Sequence, residues 1–353
     1  MTTASDIGTA PLSRTLQGIA CVLSGMVLFV GQDVLMKDML THYPVWMLIF
    51  VRSIVALLTL LPLVLWLGAP HRILTPLWPW YLARAMLFAS GAAMFYTAFP
   101  FMGFAEVTTL FFSVPLMTAT LAALFLQEKI GLHRAAALLV GFAGVVIAMN
   151  PTGGSLGMIA VLPLLCALTY AISQTIVRKI GEQDTSLTIG LYTISLSGVL
   201  IIPMGFAVSQ MIVITPELNH LRMDWPMPKV EGIAMLALLG TIGTVGYTLV
   251  SRAYQIASAS VIAPFDYSYL PLAATLGYLL WGEVPAYTTF IGMVLIVASG
   301  IYTAYRELRV NRAADDYPPI AQTVFTPGGP AVVLVDALDA ETVQLDQFDE
   351  KLI

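Results

Sequence analysis

The stretch SVPLMTATLAALFLQEKIG (113–131) is matched 155 positions later within APFDYSYLPLAATLGYLLWGEVP (263–285), and both stretches close a long apolar segment. The shared residues are Ala119, Thr120, Leu121, Leu124 and Glu128 in the first copy, and Ala274, Thr275, Leu276, Leu279 and Glu283 in the second. The recurrence predicts an internal repeat, in which one membrane-spanning unit occurs twice along the chain. Because an odd number of apolar spans lies between the copies, the second copy is expected to cross the bilayer upside down. Inverted repeats are typical of secondary transporters, whose substrate site lies near the bilayer midplane.

The composition of the chain is that of an integral membrane protein. Its 353 residues are 58% hydrophobic and only 10% charged, whereas soluble domains carry about 25% charged residues. Residues 311–353 hold eight acids and two bases, a net charge of −6, which leaves +1 for the rest of a chain whose total is −5. No nucleic-acid partner is expected from this balance. Cys21 and Cys166 both fall in apolar stretches, so we expect small buried hydrophobes and neither a disulfide nor a metal site.

A transmembrane helix needs about 20 apolar residues, and the sequence predicts an all-α protein with ten of them in two inverted five-helix repeats. Residues 1–15 are expected to be a cytoplasmic N-terminal segment with no cleavable signal, because the first apolar stretch is too long for one. Residues 16–149 and 156–305 form the repeats, and 311–353 form an acidic tail predicted to be disordered. The predicted spans are 16–36, 45–67, 79–99, 103–126, 132–149, 156–177, 187–211, 230–254, 259–281 and 286–305.

Basic residues predict the orientation of these spans. With the N-terminus in the cytoplasm, ten of the arginines and lysines near span ends lie on the cytoplasmic side and three lie opposite. This bias follows the positive-inside rule. It predicts that the protein lies in the inner membrane with both termini in the cytoplasm. It also places Glu128 inside and Glu283 outside, as an inverted repeat requires.

The two quoted stretches, followed by the small-residue segments GFAGVVIAM and GMVLIVASGIY, resemble the EamA-type ten-helix members of the drug/metabolite transporter superfamily. Asp33 and Lys37 in the first span, with Arg52 and Arg84 in the next two, are similar to a bacterial subgroup that carries riboflavin, S-adenosylmethionine and amino-acid-like metabolites. The resemblance implies a cavity lined by the first, third, fourth, sixth, eighth and ninth spans, and no cofactor. Glu106 departs from the family pattern, in which a small residue is usual.

Three charged residues within the predicted spans are candidates for binding substrate, since each charge costs about 3 kcal/mol on insertion scales. Arg84 is either an interfacial arginine or a cavity cation for a carboxylate or phosphate. Glu106 lies at the interface, or it binds a cationic group or carries a coupling proton. Asp266 either caps a kinked packing helix between prolines or belongs to a polar, aromatic pocket wall.

Aromatic and amide side chains complete the candidate substrate site. Tyr267 and Tyr269 flank the wall containing Asp266 and offer flat faces for stacking. The uncharged candidates on the implied cavity helices include Tyr96, Gln174 and Tyr247.

The other charges are interpreted as structural. Asp33 and Lys37 are four residues apart, which favours an ion pair within one helix. Arg52 is expected to pair with Asp33 and join the first two helices. Glu128 and Glu283 are expected to cap the next helix N-terminus, with a gating ion pair as the alternative.

The sequence favours a transporter over the other classes of membrane protein. All four histidines lie in or beside predicted loops, and no protease, hydrolase or phosphate-loop motif is present, so we expect no enzymatic activity. Filter sequences of channels are lacking too. We expect an alternating-access exporter of amino acids or related metabolites, coupled to protons through Glu106 or Asp266 if it is coupled at all. The alternatives are an importer of a flavin-like or S-adenosylmethionine-like compound, and a non-transporting membrane sensor. A homodimer is left open.

Overall fold

The computed structural model describes residues 9–67, 74–125, 131–149, 156–180, 184–257, 259–310, 323–324 and 332–333. These residues are almost entirely helical. The α-helices are α1 (Thr9–Met39), α2 (Val45–Leu67), α3 (Trp78–Ala98), α4 (Phe104–Phe111), α5 (Val114–Phe125), α6 (Leu132–Met149), α7 (Leu156–Ile159), α8 (Val161–Ile180), α9 (Ser186–Met211), α10 (Val230–Ile256), α11 (Ala259–Asp266), α12 (Tyr269–Trp281) and α13 (Tyr287–Val310).

Among the described residues, five segments are long and apolar enough to cross a membrane: Thr15–Met39, Val45–Trp66, Phe104–Phe125, Leu187–Met211 and Val230–Tyr254. Three shorter apolar helices accompany them: Ala135–Met149, Val161–Ile176 and Tyr287–Thr303. The protein is therefore a helical membrane protein. The count of ten spans and their orientation remain predictions.

The fourth predicted span of each repeat is broken into two half-helices at equivalent positions. Helix α4 ends at Phe111 and α5 begins at Val114, while α11 ends at Asp266 and α12 begins at Tyr269. Shifting the first set of bounds by 155 positions gives the second set, except for one residue at the end of α12. Broken helices at matching places in two repeats are a feature of transporter sites, because the break presents helix ends and free backbone groups.

The first helix of each repeat packs against the third helix of the other repeat. Helix α1 packs against α10, and its counterpart α8 packs against α3, the counterpart of α10. In the same way α2 contacts α10 and α9 contacts α3. Two other pairs, α2 with α9 and α6 with α13, join an element to its own counterpart. This pattern is the one produced by a two-fold axis between the repeats.

Close approach of these helices depends on small residues, as is common in membranes. A Cβ atom on Gly25 of α1 would lie 2.4 Å from Val250 Cγ2 of α10. In the α6–α13 pair, a Cβ atom on Gly292 would lie 2.6 Å from the backbone oxygen of Gly144. Side chains at these positions would push the helices apart.

Burial separates a lipid-facing shell from a protein core. In an 18-residue apolar stretch of the Phe104–Phe125 segment, which contains the first break, 72% of the residues are buried, against 39–44% in the corresponding stretches of the other four long segments. It therefore lies at the centre of the bundle. Large apolar side chains elsewhere face outward, including Trp66 at 82% exposure and Leu139 at 73%, as expected where lipid replaces water.

The tail contributes one small element to the structure. Thr323–Val324 (β1) and Val332–Val333 (β2) pair as antiparallel strands, and β2 lies against α8 and α9. The rest of residues 311–353, predicted to be disordered, lies outside the described residues, as does the predicted cap Glu128.

Candidate functional site

Arg84 lies in the interior of the bundle. Helix α3 places it against α8, where its Nε donates a hydrogen bond to Ser173 Oγ at 3.1 Å. The side chain is fully buried, and neither terminal nitrogen has a hydrogen-bond partner among the described residues. A guanidinium carries five N–H donors, and burying a charge without partners costs several kcal/mol. The planar fork of the two terminal nitrogens is the arrangement that binds a carboxylate or phosphate through two hydrogen bonds.

Three tyrosines surround this arginine. Tyr81, Tyr170 and Tyr247 are all buried and close enough to interact electrostatically with the guanidinium. Tyr247 comes from α10, and its ring packs on the backbone of Gly190 in α9, where a Cβ atom would lie 2.9 Å from the Tyr247 hydroxyl. Gln174 is buried in α8, next to Ser173. The group is thus assembled from both repeats.

A second buried cluster is centred on Asp33 of α1. Its carboxyl oxygens accept hydrogen bonds from the hydroxyls of Tyr96 at 2.8 Å and Tyr269 at 2.5 Å, and from Gln32 Nε2 at 3.1 Å. Three donors therefore face one buried carboxyl group. Arg52 of α2 donates to the Tyr96 hydroxyl at 2.9 Å and lies over the ring of Phe88. This cluster joins α1, α2, α3 and α12.

The break between α11 and α12 holds Asp266 at its edge. The carboxyl group is buried and accepts a hydrogen bond from the Tyr254 hydroxyl at 2.6 Å through Oδ2, while Oδ1 has no partner among the described residues. Tyr267, within the break, contacts Phe112 in the break of the other repeat, with ring centroids 5.6 Å apart. Its hydroxyl packs on Gly300 of α13. Phe112 also contacts Tyr269, so the two breaks face each other.

An ion pair between the repeats lies one helical turn beyond Asp33. Lys37 contacts a carboxylate oxygen of Glu283, whose other oxygen accepts a hydrogen bond from the backbone N–H of Phe104 at 2.7 Å. The Lys37 ammonium lies 4.6 Å from the centroid of the Trp281 ring. Glu283 follows Gly282, which ends α12 with a φ of 65°, a conformation that favours glycine.

These contacts form the floor of an open vestibule of about 720 Å³. Its walls come from the ends of α1 and α12, the α3–α4 connection and a 3₁₀ helix, Pro216–Leu221. Glu106 lies in this wall, where its carboxylate accepts a hydrogen bond from the backbone N–H of Gly103 at 3.2 Å. His220 is 6% exposed, and its Nε2 has no partner among the described residues. Burial lowers the pKa of His220, although a hydrogen bond to the Glu217 backbone opposes this shift.

The opposite end of the bundle holds another polar cluster. Asp184, in the connection between α8 and α9, accepts hydrogen bonds from Thr75 Oγ1 at 2.5 Å and from the Tyr81 hydroxyl at 2.8 Å. Tyr81 is one turn from Arg84 on α3. This cluster therefore ties the first repeat to the second on the side predicted to face the cytoplasm.

The structure distributes the predicted site residues over separate places. Arg84 and Tyr247 come together in one group, Gln174 is buried beside Ser173 on α8, and the hydroxyls of Tyr96 and Tyr269 donate to Asp33. Asp266 and Tyr267 lie at the α11–α12 break, and Glu106 lies in the vestibule, away from the buried groups. The placement of Glu106 follows from its position in the first turn of α4, three residues after Gly103.

The partner of Lys37 differs from the predicted one. Lys37 pairs with Glu283 and not with Asp33, because Asp33 already faces three donors in the interior while Lys37 reaches the vestibule. Arg52 is linked to Asp33 through the Tyr96 hydroxyl. Glu283 does cap a helix N-terminus, but the helix is α4 of the first repeat and not the following α13.

Several site residues were absent from the sequence-based candidates. Trp281 and Tyr254 carried no distinctive pattern, being aromatic residues in apolar helices. Asp184 and His220 lie in connections where polar residues are usual. Only a three-dimensional arrangement shows their partners.

The sequence and the fold resemble those of known proteins. The sequence profile of the EamA-like transporter family matches residues 16–150 and again 156–305. A riboflavin transporter of Vibrio cholerae is 26% identical over 264 residues, covering 74% of this chain and 83% of the relative. An S-adenosylmethionine uptake transporter of Rickettsia bellii is 25% identical over 291 residues, covering 82% and 94%.

Two further matches extend the comparison. A pseudopaline exporter of Pseudomonas aeruginosa is 25% identical over 286 residues, covering 80% of this chain and 94% of the relative. A solved crystal structure matches with a TM-score of 0.54 at 16% identity, covering 85% of this chain and 99% of that one. At that identity the crystal structure supports the fold alone.

Proposed function

Because this chain belongs to the EamA-like transporter family, a family of small-molecule transporters and not of enzymes, we propose that it moves a carboxylate-bearing metabolite across the inner membrane by alternating access. The observation that carries the substrate class is Arg84, a buried guanidinium whose two terminal nitrogens have no partner among the described residues. A substrate carboxylate would supply both missing hydrogen bonds. Amino acids and S-adenosylmethionine both carry this group.

The surroundings of Arg84 suit a substrate that is more than a carboxylate. Three buried tyrosines place aromatic rings near the guanidinium. Ring faces stack on flat heteroaromatic groups and attract cations. An amino-acid head joined to a planar base fits this combination better than a plain amino acid does.

Uptake is the direction that the relatives favour. The Rickettsia relative is an uptake transporter of S-adenosylmethionine, the molecule that best fits the Arg84 group, whereas the Pseudomonas relative is an exporter. We therefore propose import of an S-adenosylmethionine-like metabolite over the amino-acid export expected from the sequence. Riboflavin carries no carboxylate, so Arg84 argues against a plain flavin as the main cargo.

Asp266 is the group to which we assign proton coupling. Its carboxyl group is buried at the break of α11 and α12 and is held by a single hydrogen bond, through one oxygen. Glu106, the other sequence-based candidate, lies in the open vestibule and accepts a backbone N–H. A buried carboxyl group beside a helix break can exchange a proton when the break opens.

Uptake into proteoliposomes tests the proposed function. Labelled S-adenosylmethionine, methionine and riboflavin are supplied outside, with and without an inward proton gradient. Losing a buried, hydrogen-bonded charge partner costs about 2–5 kcal/mol, so Arg84→Gln is expected to lower uptake of the carboxylate-bearing cargo at least about thirtyfold. Arg84→Lys retains the charge without the planar fork and should be intermediate.

The matched control is Arg222→Gln, since Arg222 lies in a connection with its side chain 55% exposed. Equal uptake by Arg84→Gln and wild-type protein, at equal amounts of folded carrier, would contradict the proposal. Asp266→Asn is expected to abolish the stimulation by the proton gradient while leaving substrate exchange between the two sides intact.

A further inference from the structure

The Lys37–Glu283 pair has the geometry of an occupied cation site. The ammonium contacts the Glu283 carboxylate and also lies 4.6 Å from the centroid of the Trp281 ring and 5.9 Å from that of Phe99. Carboxylate plus two aromatic rings is the arrangement that binds organic cations such as quaternary ammonium groups. The position of Lys37 thus shows which kind of group this corner of the vestibule accepts.

The vestibule around this corner favours cations. Its lining holds one lysine and three glutamates, namely Lys37, Glu106, Glu217 and Glu283. Burial holds His220, which also lines it, toward its neutral form by lowering its pKa. The charge of Lys37 is neutralised by Glu283, so the other two glutamates give the vestibule a net negative charge. A negative charge raises the local concentration of cationic solutes.

The corner is also accessible from the vestibule. The Lys37 and Glu283 side chains are 10% and 27% exposed, respectively, and both line the cavity of about 720 Å³. A solute in the cavity can therefore reach Glu283 and Trp281 without opening the bundle. Directly below, one helical turn along α1, lies Asp33 with its tyrosine partners.

We propose that Glu283, Trp281 and Phe99 form a binding site for the organic cation of the substrate, an ammonium or sulfonium group, which Lys37 occupies as a tethered competitor until substrate displaces it. The inference rests on the proposed function and completes it, because Arg84 would bind the carboxylate of a zwitterion whose cationic group is first recognised here. Glu283 contacts Lys37 through one oxygen and the backbone N–H of Phe104 through the other, so the carboxylate stays held at the N-terminus of α4 when Lys37 leaves.

Removing the competitor should reveal the site. In the full-length protein in detergent, tetramethylammonium chloride is titrated against sodium chloride at constant chloride concentration, and binding is followed by calorimetry. If Lys37 occupies the site in most molecules, the apparent affinity for an added cation is reduced in proportion to the fraction of molecules in which the site is free of Lys37. Lys37→Ala is therefore expected to bind tetramethylammonium at least about tenfold more tightly than wild-type protein.

Second substitutions identify the site. Adding Glu283→Gln or Trp281→Leu to Lys37→Ala should abolish the gain, whereas Lys229→Gln, which removes an exposed lysine of the same predicted side, should bind as wild type does. Lys37→Ala binding no more tightly than wild type, or a gain that survives Glu283→Gln, overturns the proposal.

If Lys37→Ala does not fold, the wild-type background provides the test, since Glu283→Gln must then abolish the weaker wild-type response. An unchanged response overturns the proposal.

Binding of tetramethylammonium by Arg84→Gln separates the cation-site proposal from the proposed function of Arg84. It should be unchanged, so a failed cation site leaves the Arg84 function untouched, and failed Arg84-dependent uptake leaves the cation site standing.

Discussion

Replacing Tyr96 by phenylalanine removes one hydroxyl that lies between Arg52 and Asp33. This hydroxyl donates to Asp33 at 2.8 Å and accepts from Arg52 at 2.9 Å. Tyr269→Phe removes a single contact with the same carboxylate, a donation at 2.5 Å. Both tyrosines are fully buried, so water does not replace the lost bonds.

The sizes of the two effects follow from the number of hydrogen bonds. A hydrogen bond to a charged group contributes about 1.5–3 kcal/mol. Tyr269→Phe should therefore lower the free energy of unfolding by about 2 kcal/mol and Tyr96→Phe by about 4 kcal/mol. The entropy of unfolding is about 2.1 cal/mol/K per residue. For a chain of 353 residues, a loss of 1 kcal/mol in the free energy of unfolding therefore lowers the Tm by about 1.4 °C. We expect losses of about 3 °C and 6 °C.

Thermal unfolding in detergent measures both values, and Tyr302→Phe is the control, because Tyr302 is 41% exposed on α13. Its Tm should stay within about 1 °C of wild type, as is usual for surface substitutions. If Tyr96→Phe proves no more destabilising than Tyr269→Phe, the Tyr96 hydroxyl does not link Arg52 to Asp33. If neither changes the Tm beyond the control, the Asp33 cluster does not stabilise the bundle.

Three further outcomes test other parts of the fold. Glu283→Ala should destabilise the protein by about 1 kcal/mol more than Glu283→Gln, because glutamine can still accept from the Phe104 N–H; equal Tm values would exclude the cap. Gly292→Ala should lower the Tm, since its Cβ atom would lie 2.6 Å from Gly144 O, whereas Gly31→Ala, with nothing within 4 Å, should hold or raise it; the reverse order would contradict the packing of α13 on α6. The pKa of His220 is lowered below its usual 6.5, so the unfolded chain binds the extra proton first and stability falls as pH drops through about 6.5; His220→Gln should lose less Tm than wild type between about pH 7.5 and 5.5, and a parallel loss would exclude His220 as the cause.

The repeat in the sequence predicted local structure well. The offset of 155 residues between the matching segments also relates the bounds of the two pairs of half-helices. Local structure follows local sequence there, since equivalent segments break at equivalent places. The break itself was not predicted in the first repeat, although Pro115, the second residue of α5, lacks the N–H that would bond to the Phe111 carbonyl and continue α4.

The partners of the charged side chains could not be predicted from the sequence. Lys37 and Glu283 are 246 positions apart, and Asp33 and Tyr269 are 236 apart. A local rule pairs Lys37 with the nearest acid on its own helix, whereas the fold brings a carboxylate from the other repeat. Arg84 could be singled out because a charge in an apolar helix is costly wherever it lies. The sequence could not show that its terminal nitrogens have no hydrogen-bond partner within the described parts of the chain.

In the proposed function, Arg84 binds the carboxylate of the substrate. The most direct measurement compares the binding of S-adenosylmethionine with that of its decarboxylated analogue, on wild-type protein and on Arg84→Gln. We expect wild-type protein to prefer the carboxylate-bearing ligand by at least about thirtyfold, an energy in the range for a buried charge pair. In Arg84→Gln the preference should fall to near unity. A preference that persists without Arg84, or that is missing from wild-type protein that binds both ligands, would contradict it.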